Sequence, residues 1–325
     1  MDTYRSLNDA PQLDASALTV GTFDGLHLGH QAVISHLVDT ARQRRVPSVV
    51  VTFEPHPRQI LGGQGSGPLP GLLLDLPAKL ALLEGMAVDV ALVLEFDLPF
   101  SRISAEKFLE TYLVERFHPV SIVVGYDNRF GHNREGGAEF LRQHRDRFDY
   151  SVVEMTAVNS RSADPLSSSR IRTLLQAGMC AEAEAILGRP YGMTTTVVKG
   201  DSRGRELGFP TANLEPVEAT QLMPAQGVYI VALEGEDWTS FGMANIGTRP
   251  TFGSGELRLE AHLFEPPEGG LYGQQVRIRF HSRLRDEQKF EDVQALRDQL
   301  QTDRKESLQW VKQYREGNPI HATVE

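Results

Sequence analysis

The stretch "GTFDGLHLGH", residues 21–30, closes one pattern and opens another. It overlaps the end of the apolar run 17–23 "ALTVGTF", and from Leu28 onward Ala32, Val33, Leu37 and Ala41 recur at helical spacing. A strand that passes through a glycine turn straight into a helix is the first half of a βαβ unit, which needs a parallel sheet. Further apolar, β-branched runs at 46–53 "VPSVVVTF", 88–96 "VDVALVLEF", 120–126 "VSIVVGY" and 150–155 "YSVVEM" predict four more buried strands. Ser104 predicts the N-cap of a helix reaching to Phe117. Strand and helix thus alternate, so the expected fold is an α/β doubly wound parallel sheet. The glycine-rich 62–71 "GGQGSGPLPG" interrupts it as a loop.

After 181–192 "AEAEAILGRPYG" the style changes. Runs at 193–199, 227–235, 237–247, 256–264 and 274–285 are β-rich and separated by Gly, Pro and Asp turns, which predicts a small antiparallel β-barrel. Residues 286–316 carry the apolar spacing of one or two closing C-terminal helices. Two domains are expected, 1–187 and 188–325.

A net charge of −10 opposes general attraction to nucleic acid or to an anionic membrane, both of which need a basic face. Any phosphate site must be local. The single cysteine, Cys180, forms no internal disulfide and has no metal-ligand spacing around it, which suits a reducing, cytoplasmic setting. No apolar run approaches the roughly 18 residues of a membrane span, and the polar first residues do not read as a targeting segment.

In a doubly wound sheet, ligands sit at the carboxyl ends of the strands beside the switch point. Gly21 and Gly25 allow close backbone approach there, with Phe23 between them. A helix starting near Leu28 directs free N–H groups and its positive dipole end at the ligand, which favours phosphate. His27 and His30, three apart, share one side of that first turn. From the residues alone they are either donors to a phosphoryl group or surface histidines of an ordinary glycine turn. No Gly-Lys-Ser/Thr follows, so the turn is not a Walker loop.

Other clusters follow other strands. In 54–58 "EPHPR", Pro55 and Pro57 fix the backbone around His56. In 125–131 "GYDNRFG", Asp127 is an acceptor and Phe130 a stacking or packing group. In 166–172 "LSSSRIR", hydroxyls cap a helix while Arg170 and Arg172 add charge. In the second half, 200–213 "GDSRGRELGFPTAN" offers a glycine loop, and Thr211 and Asn213 point the same way on an extended segment as oxygen ligands suited to Mg²⁺. Along 256–264, Leu257, Leu259, Ala261 and Leu263 alternate toward the core, leaving Glu260 on the other face as a solvated carboxylate or a proton acceptor.

In this order the motifs resemble the prokaryotic bifunctional riboflavin kinase/FAD synthetase family. The histidine turn and "SSSRIR" are similar to its adenylyltransferase domain. The segments "GDSRGRELGFPTANL" (200–214), "GVYIV" (227–231), "MANIGTRPTF" (243–252), "LEAHLF" (259–264) and "LRDEQKF" (284–290) are similar to its riboflavin kinase domain, and the likeness runs from about residue 18 to about 303. Asn128 departs from the pattern, standing where the family has an aromatic residue before "RFG", and Ser169 stands where threonine is common.

The resemblance implies two ATP-dependent steps. In the barrel, Glu260 is the base for riboflavin phosphorylation, Thr211 and Asn213 hold Mg²⁺, and Gly200, Arg205, Gly208 and Pro210 form the ATP loop. In the parallel domain, His27, His30 and a Mg²⁺ stabilise transfer of AMP from ATP to FMN. There Gly21, Phe23, Gly25, His56, Asp127, Ser168, Ser169 and Arg172 bind substrate. The implied partners are riboflavin, FMN and ATP, with self-association open. Two rivals remain: a different nucleotidylyltransferase with a barrel that only binds, and a flavin or nucleotide sensor without turnover.

Overall fold

The computed structural model describes residues 1–62, 71–156, 166–200, 203–248 and 257–317. Most of the glycine-rich 62–71, part of the 200–213 loop and the end of "MANIGTRPTF" lie outside them. By its contacts the chain divides into two compact units, Met1–Arg170 and Ile171–Glu325.

The first unit runs β1 (Asp2–Tyr4), β2 (Ser16–Val20), α1 (Leu28–Arg44), β3 (Ser48–Glu54), α2 (Pro57–Leu61), α3 (Leu76–Gly85) and β4 (Val90–Glu95). It continues through α4 (Ala105–Phe108), a π-helical turn (Leu109–Val114), α5 (Glu115–Phe117), β5 (Pro119–Gly125), α6 (Ala138–Phe148) and β6 (Ser151–Met155). The strands form one parallel sheet in the order β1-β4-β3-β2-β5-β6. All five residues of β2 are buried, so both of its faces need apolar cover. Leu18 and Val20, with Val49, Val51, Leu92 and Ile122, face one core; Ala17, Val50 and Val123 face another with Val33, Ile34, Leu37 and Ala41 of α1. Each fully buried aliphatic side chain contributes roughly 1.5–3 kcal/mol. Chain order reverses between β2 and β5, and α1 leaves from that switch point. Edge strand β1, paired in register with β4 from Asp2↔Val90 to Tyr4↔Leu92, is an addition to the five strands expected here.

After α7 (Ser168–Gln176) and α8 (Cys180–Leu187), the second unit builds a closed antiparallel barrel from β7 (Tyr191–Val198), β8 (Ala212–Pro216), β9 (Gly227–Glu234), β10 (Thr239–Thr248), β11 (Leu257–Leu263) and β12 (Gln275–Arg285). The barrel order is β10-β11-β8-β7-β12-β9, and a short α9 (Arg203–Glu206) lies between β7 and β8. Among the described residues closure leaves no barrel edge unpaired. The tail is one helix, α10 (Val293–Gly317), whose Val311, Trp310 and Tyr314 pack on Ala232 and Phe241. Arg285 of β12 holds it through two nitrogens on the Asp303 carboxylate, at 2.7–3.1 Å. Among the described residues no helix is long and apolar enough to cross a membrane.

Candidate active sites

In the first unit, the turn between β2 and α1 is wound tightly: Phe23 (φ 47°), Gly25 (φ 75°) and Leu26 (φ 40°) all have left-handed backbone. Non-glycine residues in that region cost about 1–3 kcal/mol each, and such strain gathers at ligand sites. The helix begins at Leu28 as expected, with His27 as its N-cap. Nδ1 of His27 accepts the N–H of His30 at 3.4 Å, so a neutral His27 carries its proton on Nε2. Gly29 makes this possible, because a β-carbon there would lie 3.1 Å from the His27 ring. The two imidazoles stack with centroids 3.8 Å apart and planes 18° apart. They are not freely solvated surface side chains: His27 is buried and His30 half-buried. Burial, then the neighbouring His27 and Lys79, hold the pKa of His30 well below that of an ordinary imidazole. The first turn of α1 carries no acidic residue, which leaves its positive end available to an anion.

Of the remaining predicted groups, His56 follows β3, Asp127 follows β5, and Ser168 reaches the turn after β2. His56 is buried at the N-cap of α2, where its Nδ1 accepts from Arg58 N at 3.0 Å and Gln59 completes a capping box. Asp127 is exposed just beyond β5. The amide of Asn128 donates to the carbonyl of Val20, so the residue that departs from the aromatic pattern ties the β5 loop to the end of β2. Ser168 donates to the carbonyl of Asp24 at 2.8 Å, which brings the start of α7 onto the histidine turn. The helix-capping hydroxyl is that of Ser167, accepting from Arg170 N at 3.2 Å. Ser169 is exposed, and Arg172, one turn after Ser168 on α7, is buried. Phe23 is packed into the core, its ring 3.0 Å from where a β-carbon on Gly21 would stand; whatever it offers a ligand comes from its backbone.

Motif reading passed over two buried charges under this turn. Asp24 is 3% exposed and its Oδ1 accepts Leu73 N at 3.1 Å. Lys79, also 3% exposed, sits on the core stripe of α3 with Leu76, Ala78 and Leu83. A lysine at an apolar position of the helix "LPAKLALLEG" was the available signal.

In the barrel, Thr211 Oγ1 donates to Glu260 Oε2 at 3.2 Å. Asn213 of β8 and Asn245 of β10 are the register partners of Glu260 on either side, so the three polar side chains form one row across β8, β11 and β10. A β-carbon at Gly200 would overlap the Asn213 amide, which places Gly200 directly on this row. Gly208 has φ 83° with open space around it, as a phosphate loop needs. Arg205 belongs to α9 by its backbone; its side chain lies outside the described atoms. Pro210 presents its carbonyl to His262 Nδ1–H at 2.9 Å. His262, on the same face as Glu260, is walled in by Phe209 and Phe264. Burial is the main cause of its lowered pKa.

The alternation expected along β11 holds at Leu259, Ala261 and Leu263, all buried, while Leu257 is exposed at the strand's start. The donors around Glu260 are a hydroxyl, an amide carbonyl and a carboxylate, which fit a hard divalent cation shared with phosphates. Among the described residues no cluster of three His, Cys, Asp or Glu side chains offers a transition-metal site.

A parallel sheet with a histidine turn at its switch point, joined to a barrel with a hydroxyl-carboxylate-amide row, has the chemistry of a two-site phosphate-transfer protein. The pattern of the FAD synthetase family matches residues 9–170, and that of the riboflavin kinase family matches 187–311. The bifunctional riboflavin kinase/FMN adenylyltransferase of Haemophilus influenzae is 36% identical over 305 residues, covering 93% of this chain and 97% of its own. That of Escherichia coli K12 is 35% identical over 300 residues, covering 92% and 93%. A crystal structure described as a macrolide-efflux protein from Streptococcus pneumoniae matches with a TM-score of 0.84 at 32% identity, over 95% of this chain and 98% of that one. It shares both the parallel sheet and the barrel. The chain belongs to the bifunctional riboflavin kinase/FMN adenylyltransferase family: an FAD synthetase domain followed by a riboflavin kinase domain.

Proposed function

We propose that the two sites just described perform the two steps in sequence, with the functional boundary at 187/188. In the barrel, Glu260 accepts the proton of the terminal ribityl hydroxyl of riboflavin as that oxygen attacks the γ-phosphorus of ATP, releasing ADP and FMN. Thr211 and Asn213 would hold Mg²⁺, which supplies charge neutralisation to the β- and γ-phosphates. Gly200, Arg205, Gly208 and Pro210 form the loop over the nucleotide. Thr211 and Glu260, 49 residues apart in the chain yet hydrogen-bonded, carry this half of the reading.

In the parallel domain, a phosphate oxygen of FMN attacks the α-phosphorus of a second ATP and pyrophosphate leaves. The nucleophile is already an anion, so no base is required. His27, through Nε2–H, and His30 donate to the transferring group as its charge builds, helped by the open end of α1. The backbone of Gly21, Phe23 and Gly25 lines the phosphates, His56 and Asp127 orient FMN, and Ser168 and Ser169 hold the triphosphate with Arg172 one helical turn on. A buried single cysteine and acidic net charge suit a cytoplasmic enzyme acting on small molecules.

The test is to supply the purified chain with riboflavin, ATP and Mg²⁺ and to separate riboflavin, FMN and FAD by chromatography. Accumulation of FAD is expected. FMN without FAD would remove the histidine-turn half, and neither product would remove both.

A further inference from the structure

Lys79 is a buried charge that neither step above uses. Its ammonium lies 3.5 Å from Thr52 Oγ1, and the Thr52 hydroxyl donates to the carbonyl of Thr22 at 3.4 Å. A chain of donors therefore runs from α3, through the carboxyl end of β3, into the turn that carries the histidine pair. Asp24 fastens the same turn through the backbone N–H of Leu73 and the hydroxyl of Ser168. The charged and titratable groups facing Lys79 are Asp24 in the turn, Glu54 at the end of β3 and His30 on α1, with His27 stacked behind it.

A methionine would fill the same apolar stripe without the cost of desolvating an ammonium. Two carboxylates beneath a site for polyphosphate give the cation its reason, because their charge opposes that of the substrate and the ammonium offsets part of it. We propose that Lys79 is a positioning residue for FMN adenylylation, its cation holding the Thr22–Asp24 turn and offsetting Asp24 and Glu54 beneath the histidine pair. The same ammonium opposes protonation of His30, and a charge on that ring would break its stack on His27, centroids 3.8 Å apart, so the cation also sets where the acid limb of the reaction falls. The proposal rests on the histidine turn being the adenylyl-transfer site.

The test uses the full chain and initial rates of FAD formation from FMN and Mg-ATP across pH, with riboflavin phosphorylation followed in the same preparations. A direct transition-state donor is worth about a hundred- to a thousandfold in kcat; Lys79→Met, acting through Thr52 and Thr22 rather than on the substrate itself, is expected to lower FAD formation about ten- to hundredfold. It is also expected to raise the KM for ATP and to move the acid limb to higher pH, because His30 protonates more easily once the cation is gone. Riboflavin phosphorylation stays at the wild-type rate. Since losing a buried cation can unfold the domain, Lys79→Arg is measured alongside. It keeps the charge and is expected to leave the acid limb at its wild-type position. Lys79→Met with an unchanged rate and limb overturns the proposal, and so does Lys79→Arg with the limb displaced as for methionine. His30→Asn separates the two levels. If it leaves FAD formation intact, the site reading fails; if it abolishes FAD formation while Lys79→Met does nothing, only the lysine's role fails.

Discussion

Replacing Glu260 by glutamine removes the proposed base of the kinase step while disturbing little else. The side chain keeps its shape, and its amide oxygen can still accept the hydroxyl of Thr211, now at 3.2 Å from the carboxylate. A hydrogen bond to a charged acceptor is worth about 1.5–3 kcal/mol against 0.5–1.5 for a neutral one, so the fold loses about 1 kcal/mol. For a domain of this size that lowers the melting midpoint by only a few degrees, about 2–8 °C. Removing a general base costs about a hundred- to ten-thousandfold in rate. At 1.36 kcal/mol per decade this is about 2.7–5.4 kcal/mol, well beyond the stability change. The assay incubates wild type and Glu260→Gln with riboflavin and Mg-ATP and follows FMN plus FAD chromatographically, then repeats with FMN as the starting flavin. Riboflavin consumption is expected to fall at least about a hundredfold, while FAD formation from supplied FMN continues at the wild-type rate. A variant that phosphorylates riboflavin within about threefold of wild type refutes the assignment, because uniform binding effects do not rescue kcat when the proton acceptor is gone.

His27→Asn and His30→Asn should each slow FAD formation from FMN about a hundredfold or more while leaving riboflavin phosphorylation intact, measured in the same chromatographic assay. Gly200→Ala must displace the Asn213 amide and is expected to raise the KM for Mg-ATP in the kinase step alone. His30 is held below its unfolded pKa, so the unfolded chain binds more protons in the window from about pH 6.5 downward, and stability there falls as pH falls. Thermal melts of the first unit should lose less between about pH 7 and 5.5 in His30→Asn than in wild type; equal losses would contradict a His30 imidazole kept neutral in the fold. Asp303→Ala leaves Arg285 without its partner beside a nearly closed carboxylate pocket, exposed 14% and 2% respectively, and is expected to destabilise the barrel by about 3–5 kcal/mol. Both tryptophans, Trp238 and Trp310, lie in that unit, so intrinsic fluorescence reads the change without interference from the parallel domain.

The alternation of strand and helix was legible because β2 to β5 are buried on both faces and therefore read as continuous apolar runs. The two strands that were not separately legible are β1 and β8. Asp2–Tyr4 is three polar or aromatic residues held by backbone pairing with β4, too short to show a period. Ala212–Pro216 buries only Leu214, and its strand character comes from ladders with β7 and β11 that the segment does not announce. The division by contacts after Arg170 likewise depends on α8 packing against β7 and β12, a tertiary choice with no local mark.

At the sites, residues whose chemistry works through backbone geometry were the readable ones. Gly29 and the N-cap position bring His27 and His30 together within one helical turn, and strand alternation puts Glu260 opposite Asn213. Phe23 shows the limit of this reading. Its positive φ turns the ring inward over Gly21, so a side chain between two glycines that looks free to meet a ligand is part of the core. Lys79 and Asp24 show the converse, polar groups hidden because the positions they occupy are apolar by pattern. Periodicity assigns such positions to packing, and the cost of burying a charge is the physical reason to doubt that assignment whenever one stands there. Asn128 belongs between these cases. Read against an aromatic pattern it is a missing ring; in the fold it is a donor to Val20 that joins the β5 loop to the strand leading into the histidine turn, and truncating it should loosen that loop before it alters any phosphate chemistry.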